Sequence, residues 1–287
     1  MTAFEILSSP FLIEVVLRAT VVGVLVSVCA SLLGVCLVMK KYSMIGDGLS
    51  HVGYFALAVG AVAGVSAEYS MEAAIPIVIL AALLILKLDD HPKISGDAAC
   101  AIVATGSVAL GTIIFGIAGS DTSDICSGLF GSSSVVTVTS KDMYLSIALA
   151  AVVLTWFVLF YRQIFTVTFD SQFVTASGVN AGGIRTVLAV LTAVTIVVGM
   201  KLMGAIMISA LIVFPAMSAS RICRSFKGVV IFSAAISVMC FVIGFAVACM
   251  FSLQTGAAVV VAELCAFLLV CLYGRIRSFV RKDAEEK

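Results

Sequence analysis

Charge is what this chain has least of. Asp, Glu, Lys and Arg make up 11% of its 287 residues, roughly half the share found in a soluble globular domain. Hydrophobic residues make up 62%, and the mean hydropathy is +1.23. Such a chain can fill a core but has too little polar surface to cover one in water. Lipid is therefore its solvent over much of its length. A net charge of +1, with no basic run carrying interleaved aromatics, argues against a nucleic-acid partner. There is no G-x-x-x-x-G-K-[ST], no H-E-x-x-H and no serine elbow. The chain cannot cradle ATP phosphates by itself, and it does not read as an enzyme. Nine cysteines are present but no C-x-x-C. Cys29, Cys36, Cys100, Cys240, Cys249, Cys265 and Cys271 lie inside apolar runs and read as small packing residues. The N-terminus lacks a basic n-region and carries Glu5 and Glu14, so the first apolar stretch reads as a retained span.

What is there is a series of apolar runs of spanning length. They fall at about 11–39, 47–66, 71–88, 98–119, 143–161, 185–200, 203–221, 228–250 and 256–274. The expected fold is an all-α, polytopic membrane bundle, one transmembrane domain over residues 1–287 with no separate soluble domain. The run at 185–200 is short for a bilayer core of about 30 Å. It either spans alone or joins 203–221 as one bent helix, so eight and nine transmembrane helices both stand. If the polar loop at 162–184 is cytoplasmic, fourteen of the 17 basic residues fall on that side, Lys40, Arg162, Arg185, Arg224 and Arg281 among them. Only Arg18, Lys141 and Lys201 remain, while Glu68, Glu72, Asp121 and Asp124 fall on the other side. The C-terminus is then cytoplasmic.

Charges within spans are costly and mark candidate sites. Asp47 and His51 open the second span in SMIGDGLSHVGYFALAVG. Four residues apart, they share one helix face, where a carboxylate oxygen and an imidazole nitrogen can ligate one divalent ion. Ser50 adds a hydroxyl nearby. The plainer reading is that Asp47 is a helix-start residue favoured by the macrodipole and His51 a histidine bonded to backbone. Glu263, in GAAVVVAELCAFLL, either lines a pathway or pairs with Arg18; the pair is the favoured reading. His91, in DDHPK beside Asp89 and Asp90, reads as part of a solvated turn. Pro215 interrupts a span flanked by Ser209, Ser218 and Ser220, either as a packing kink or as polar lining.

SMIGDGLSHVGYFALAVG resembles the G-D-[AG]-[IL]-S-H segment of the permease family of zinc/manganese ABC importers. Further segments resemble that family in the same order: GDAACAIVATGSVALGTII, DICSGLFGSSSVVTVTSKDM, FDSQFVTASGVNAG, VVGMKLMGAIMISALIVFPAMSASRI and SLQTGAAVVVAELCAFLL. The resemblance runs from about residue 10 to 275. It implies a multi-pass subunit of the bacterial plasma membrane that pairs with a second permease copy. Two copies of a cytoplasmic ATP-binding subunit drive it, and an extracytoplasmic metal-binding protein feeds it. Asp47 and His51 match the family's metal-contacting positions. Phe169, Asp170, Ala176 and Gly178 match its ATPase coupling loop. The chain departs from the family after the histidine, reading Val52-Gly53-Tyr54-Phe55 where many members have A-x-L-P-G. It departs again at Phe214-Pro215-Ala216-Met217-Ser218-Ala219, where many have T-P-A-A-T-A.

The expectation is a transport subunit that holds no cofactor permanently and passes Zn2+, with Mn2+ next and Fe2+ after it. The rival is a secondary, ion-coupled carrier using Asp47, His51 and Glu263 as a proton or metal relay.

Overall fold

The computed structural model describes residues 10–285 apart from 41, 43, 66–69, 90–94, 119–139, 170–179 and 252. Among these it is all helical. Nine long helices follow the apolar runs: α1 (Pro10–Met39), α2 (Ile45–Val62), α3 (Ser70–Asp89), α4 (Gly96–Ala118), α5 (Ser140–Leu159), α7 (Ala181–Met203), α8 (Ala205–Ile222), α9 (Phe226–Phe251) and α10 (Thr255–Glu285). A short α6 (Tyr161–Phe169) follows α5. Eight of the nine are long and apolar enough to cross a membrane; the exception, α3, carries Glu72, Lys87 and Asp89 near its ends. Its uncharged middle and its length of 20 residues, about 30 Å, still match a bilayer core.

α1 is uncharged from Ala19 to Met39 and is buried on nearly every side, which is where an all-round apolar helix belongs. It packs against α5, α7, α8 and α9. Lipid removes the hydrophobic drive between helices, so close packing and interhelical bonds hold them instead. At Gly34 the backbone of α8 comes so near that a Cβ would lie 2.1 Å from the Ile212 carbonyl oxygen. Ser237 of α9 donates to the Ser27 carbonyl of α1 at 3.0 Å.

The bent-helix alternative for 185–221 does not hold. Gly204 breaks the run at φ +89°, a conformation that L side chains rarely adopt. Before it, Gly199 lies against Val26 in the middle of α1; after it, Ile212 lies against Gly34 near the end of α1. The chain therefore climbs along α1 and returns, and α7 and α8 are separate helices. α8 runs unbroken through Pro215.

Tyr42, Asp89 and Arg185 meet at one end of the bundle. That end also carries Lys40 and Lys87, and it is the basic end referred to below. α6 packs there on α1, and the rings of Tyr161, Phe165 and Phe169 surround Phe226 at the start of α9, with centroids 5.3–6.2 Å from it.

Candidate functional site

Asp47 and His51 lie on the first two turns of α2 and face a groove between α2 and α4. Its volume is about 480 Å³, and its lining includes Asp47, Gly48, His51, Cys100, Ala104 and Thr105. The groove exists because α2 and α4 approach closely at one level. A Cβ on Gly48 would lie 3.3 Å from the Cys100 carbonyl oxygen. Above and below that contact the small side chains of α4 leave room.

The imidazole Nε2 of His51 lies 3.6 Å from Asp47 Oδ1, too far for a hydrogen bond but close enough for one cation to touch both. The two side chains are 25% and 46% exposed, so both reach the open groove. The other ring nitrogen, Nδ1, is buried with no hydrogen-bond partner among the described residues. This leaves Nε2 as the nitrogen presented to a ligand. Ser50 does not turn its hydroxyl proton outward: it donates to the Asp47 carbonyl at 2.8 Å. Thr105 likewise donates within its own helix, to the Ala101 carbonyl at 2.8 Å. The groove therefore offers one carboxylate and one imidazole. Among the described residues no group of three or more His, Cys, Asp and Glu side chains could hold a metal. His51 lies six residues after Ile45, about 9 Å into its helix, in the half of α2 on the side of the basic end.

Glu263 is placed elsewhere. It is 1% exposed in α10, is absent from the lining of the groove, and neither carboxylate oxygen has a hydrogen bond among the described residues. The expected pair with Arg18 is not formed. Arg18 donates instead to Glu14, one turn back on its own helix, where four-residue spacing stacks the two side chains. Of the coupling-loop residues, Phe169 ends α6, is exposed, and packs on Phe165 with ring centroids 4.9 Å apart. Asp170, Ala176 and Gly178 lie outside the described residues, as do Asp90 and His91.

One cluster had no clear sign in the sequence. Asp89, expected in a solvated turn, is the last residue of α3 and accepts from the Tyr42 hydroxyl and from Arg185. Lys40 sits beside it. Burial, then the neighbouring Arg185 charge, push the Lys40 ammonium down to about 8 from an ordinary 10.5, with Cys36 and Asp89 opposing the shift.

The pattern of the ABC 3 transport family matches residues 12–274. The high-affinity zinc uptake system membrane protein ZnuB of Haemophilus influenzae is 26% identical, over 89% of this chain and 96% of that protein. The manganese import system permease protein ScaB of Streptococcus gordonii is 26% identical, over 88% of each. The solved structure of PsaBC from Streptococcus pneumoniae in complex with Fab contains a chain that superposes with a TM-score of 0.78 at 25% identity, covering 92% of both chains.

Proposed function

Because the chain belongs to the ABC 3 transport family, we propose that it is the membrane-spanning permease subunit of an importer for a divalent transition metal, zinc first and manganese next. The observation that carries this reading is the Asp47–His51 pair: two donors 3.6 Å apart, half open to a groove, in an apolar bundle. An ionised carboxylate and a neutral imidazole suit zinc and tolerate manganese or ferrous iron.

Two donors do not complete a coordination sphere, since zinc takes four ligands. A second permease copy facing the same groove supplies another Asp47 and His51. The homodimer thus gives the site its missing half. The whole chain forms a single permease domain in the bacterial plasma membrane. The basic end faces the cytoplasm, as the distribution of Lys and Arg requires. There the segment around Phe169, Asp170, Ala176 and Gly178 meets a partner chain that hydrolyses ATP. An extracytoplasmic binding protein hands over the ion at the other face. The chain itself carries out no covalent chemistry. Its work is to hold the ion and to open one side at a time.

The test is metal accumulation by proteoliposomes holding the permease with its ATPase and binding protein, supplied with zinc, manganese or ferrous iron. ATP-dependent uptake of one of these supports the reading. Uptake that persists with an inactive ATPase and collapses with an uncoupler would assign the chain to ion-coupled carriers instead.

A further inference from the structure

The connection from α1 to α2 is five residues, 40–44, and Tyr42 stands at its centre. Its backbone N–H donates to the Leu37 carbonyl at 3.0 Å, and its own carbonyl accepts from the Ile45 N–H at 3.3 Å. Tyr42 is thus bonded to the last turn of α1 and to the first residue of α2, five residues before Asp47. Its hydroxyl donates to Oδ2 of Asp89. Arg185, on the second turn of α7, donates to the same Asp89 oxygen at 3.3 Å and to the Tyr42 hydroxyl at 3.4 Å. Asp89 and Arg185 are 21% and 24% exposed, sheltered enough to keep much of their attraction from salt screening.

This node touches both walls of the ion groove. α2 follows directly from Tyr42. α4 starts at Gly96, where a Cβ would lie 2.4 Å from Cε1 of the Tyr42 ring. On its other side the node stands on α7. Asn180 caps that helix, its side-chain oxygen accepting from the Gly183 N–H at 2.9 Å. A push on the start of α7 is therefore delivered to its first turn, and Arg185 is on the next.

We propose that Tyr42, Asp89 and Arg185 are the coupling residues that carry movement of the N-terminal end of α7 to both walls of the Asp47–His51 groove. They touch neither the ion nor the nucleotide; they act by joining three helix ends through one carboxylate oxygen. The proposal rests on the ABC-permease reading above.

The experiment uses the complete complex in proteoliposomes and measures ATP hydrolysed and zinc accumulated in the same samples. Tyr42→Phe keeps the ring against Gly96 and removes only the hydroxyl; Asp89→Asn keeps the shape and removes the charge. Both variants should keep the ATPase bound, keep zinc bound at the groove and hydrolyse ATP at near wild-type rates. Zinc taken up per ATP should fall about tenfold, the change expected when one charge-assisted bond is lost. The double variant should be little worse than Asp89→Asn alone, because the residues act as a unit. An unchanged ratio of uptake to hydrolysis in both variants overturns the proposal. So does a parallel fall of uptake, hydrolysis and folded protein, which is the mark of a merely structural contact. A wild-type complex that accumulates no metal with ATP overturns the functional reading along with it. A failure confined to the variants overturns the coupling role alone.

Discussion

Replacing Gly34 by alanine adds one methyl group to a seam where the backbone of α8 lies directly against it. The new Cβ would lie 2.1 Å from the Ile212 carbonyl oxygen, 2.9 Å from its carbon and 3.0 Å from its Cα. These are backbone atoms of α8, and no rotamer change moves them aside. Ordinary contact begins near 3.4 Å, so α8 must retreat by about 3.4 − 2.1 = 1.3 Å. Overpacking of this kind costs roughly 1–3 kcal/mol. The helix preference of alanine over glycine returns roughly 0.5–1 kcal/mol. The net loss is about 1–2 kcal/mol, a shift of roughly 5–30-fold in the folded-to-unfolded ratio. Function should suffer as well. The Ile212 side chain lies against Gly46, one residue before Asp47, so a retreating α8 withdraws support from the start of α2. Gly274→Ala on α10 is the control, because a Cβ there meets nothing within 4 Å. Thermal unfolding in one detergent, with zinc uptake by the same preparations, separates the two. Gly34→Ala should melt lower and transport less, whereas Gly274→Ala should melt no lower than wild type. A Gly34→Ala protein as stable as wild type would refute this account of the α1–α8 seam.

Asp47→Asn and His51→Gln should each lower zinc uptake by on the order of tenfold or more while leaving the ATPase bound, and the double variant should be little worse than either single. Wild-type accumulation by both single variants would remove the pair from the pathway. Lys40→Gln should raise stability at pH 7. Lysine at this position, held near 8 in the folded state against 10.5 ordinarily, stays charged at a cost below pH 8. Between about pH 8 and 10.5 the folded form sheds this proton while the unfolded chain keeps it, so wild-type stability rises and the gap should close; melting curves against pH test this. Gly178→Trp should leave membrane insertion intact and reduce co-purification of the ATPase. Full association with full uptake would take the 170–179 segment out of the mechanism.

The helices were legible because lipid imposes a length and a composition on each span, and both can be counted along the chain. Asp47 and His51 were legible for the same reason: polar side chains stand out in an apolar run, and a spacing of four fixes their shared face. The groove they face was not, because it depends on how near α4 comes at Gly48. Arg18 and Glu263 show the limit of reasoning from charge alone. Two opposite charges in apolar helices invite pairing, but Glu14, one turn away, was the nearer partner. The Tyr42–Asp89–Arg185 node was hidden for another reason. Its members are 47, 96 and 143 residues apart, and each by itself is an ordinary residue at a helix end. The return at Gly204 was one of two readings left open, because a bend and a reversal look alike in a continuous apolar run.

That return also bears on how the protein is made. One residue separates α7 from α8, and the backbone bonds close around it: the Gly204 N–H donates to Met200 at 2.8 Å, and its carbonyl accepts from Ile208 at 3.3 Å. With those two groups satisfied, the glycine itself leaves no backbone polar group open. So short a tip, one glycine between helices of 23 and 18 residues, favours insertion of the two together as a hairpin over insertion of one at a time.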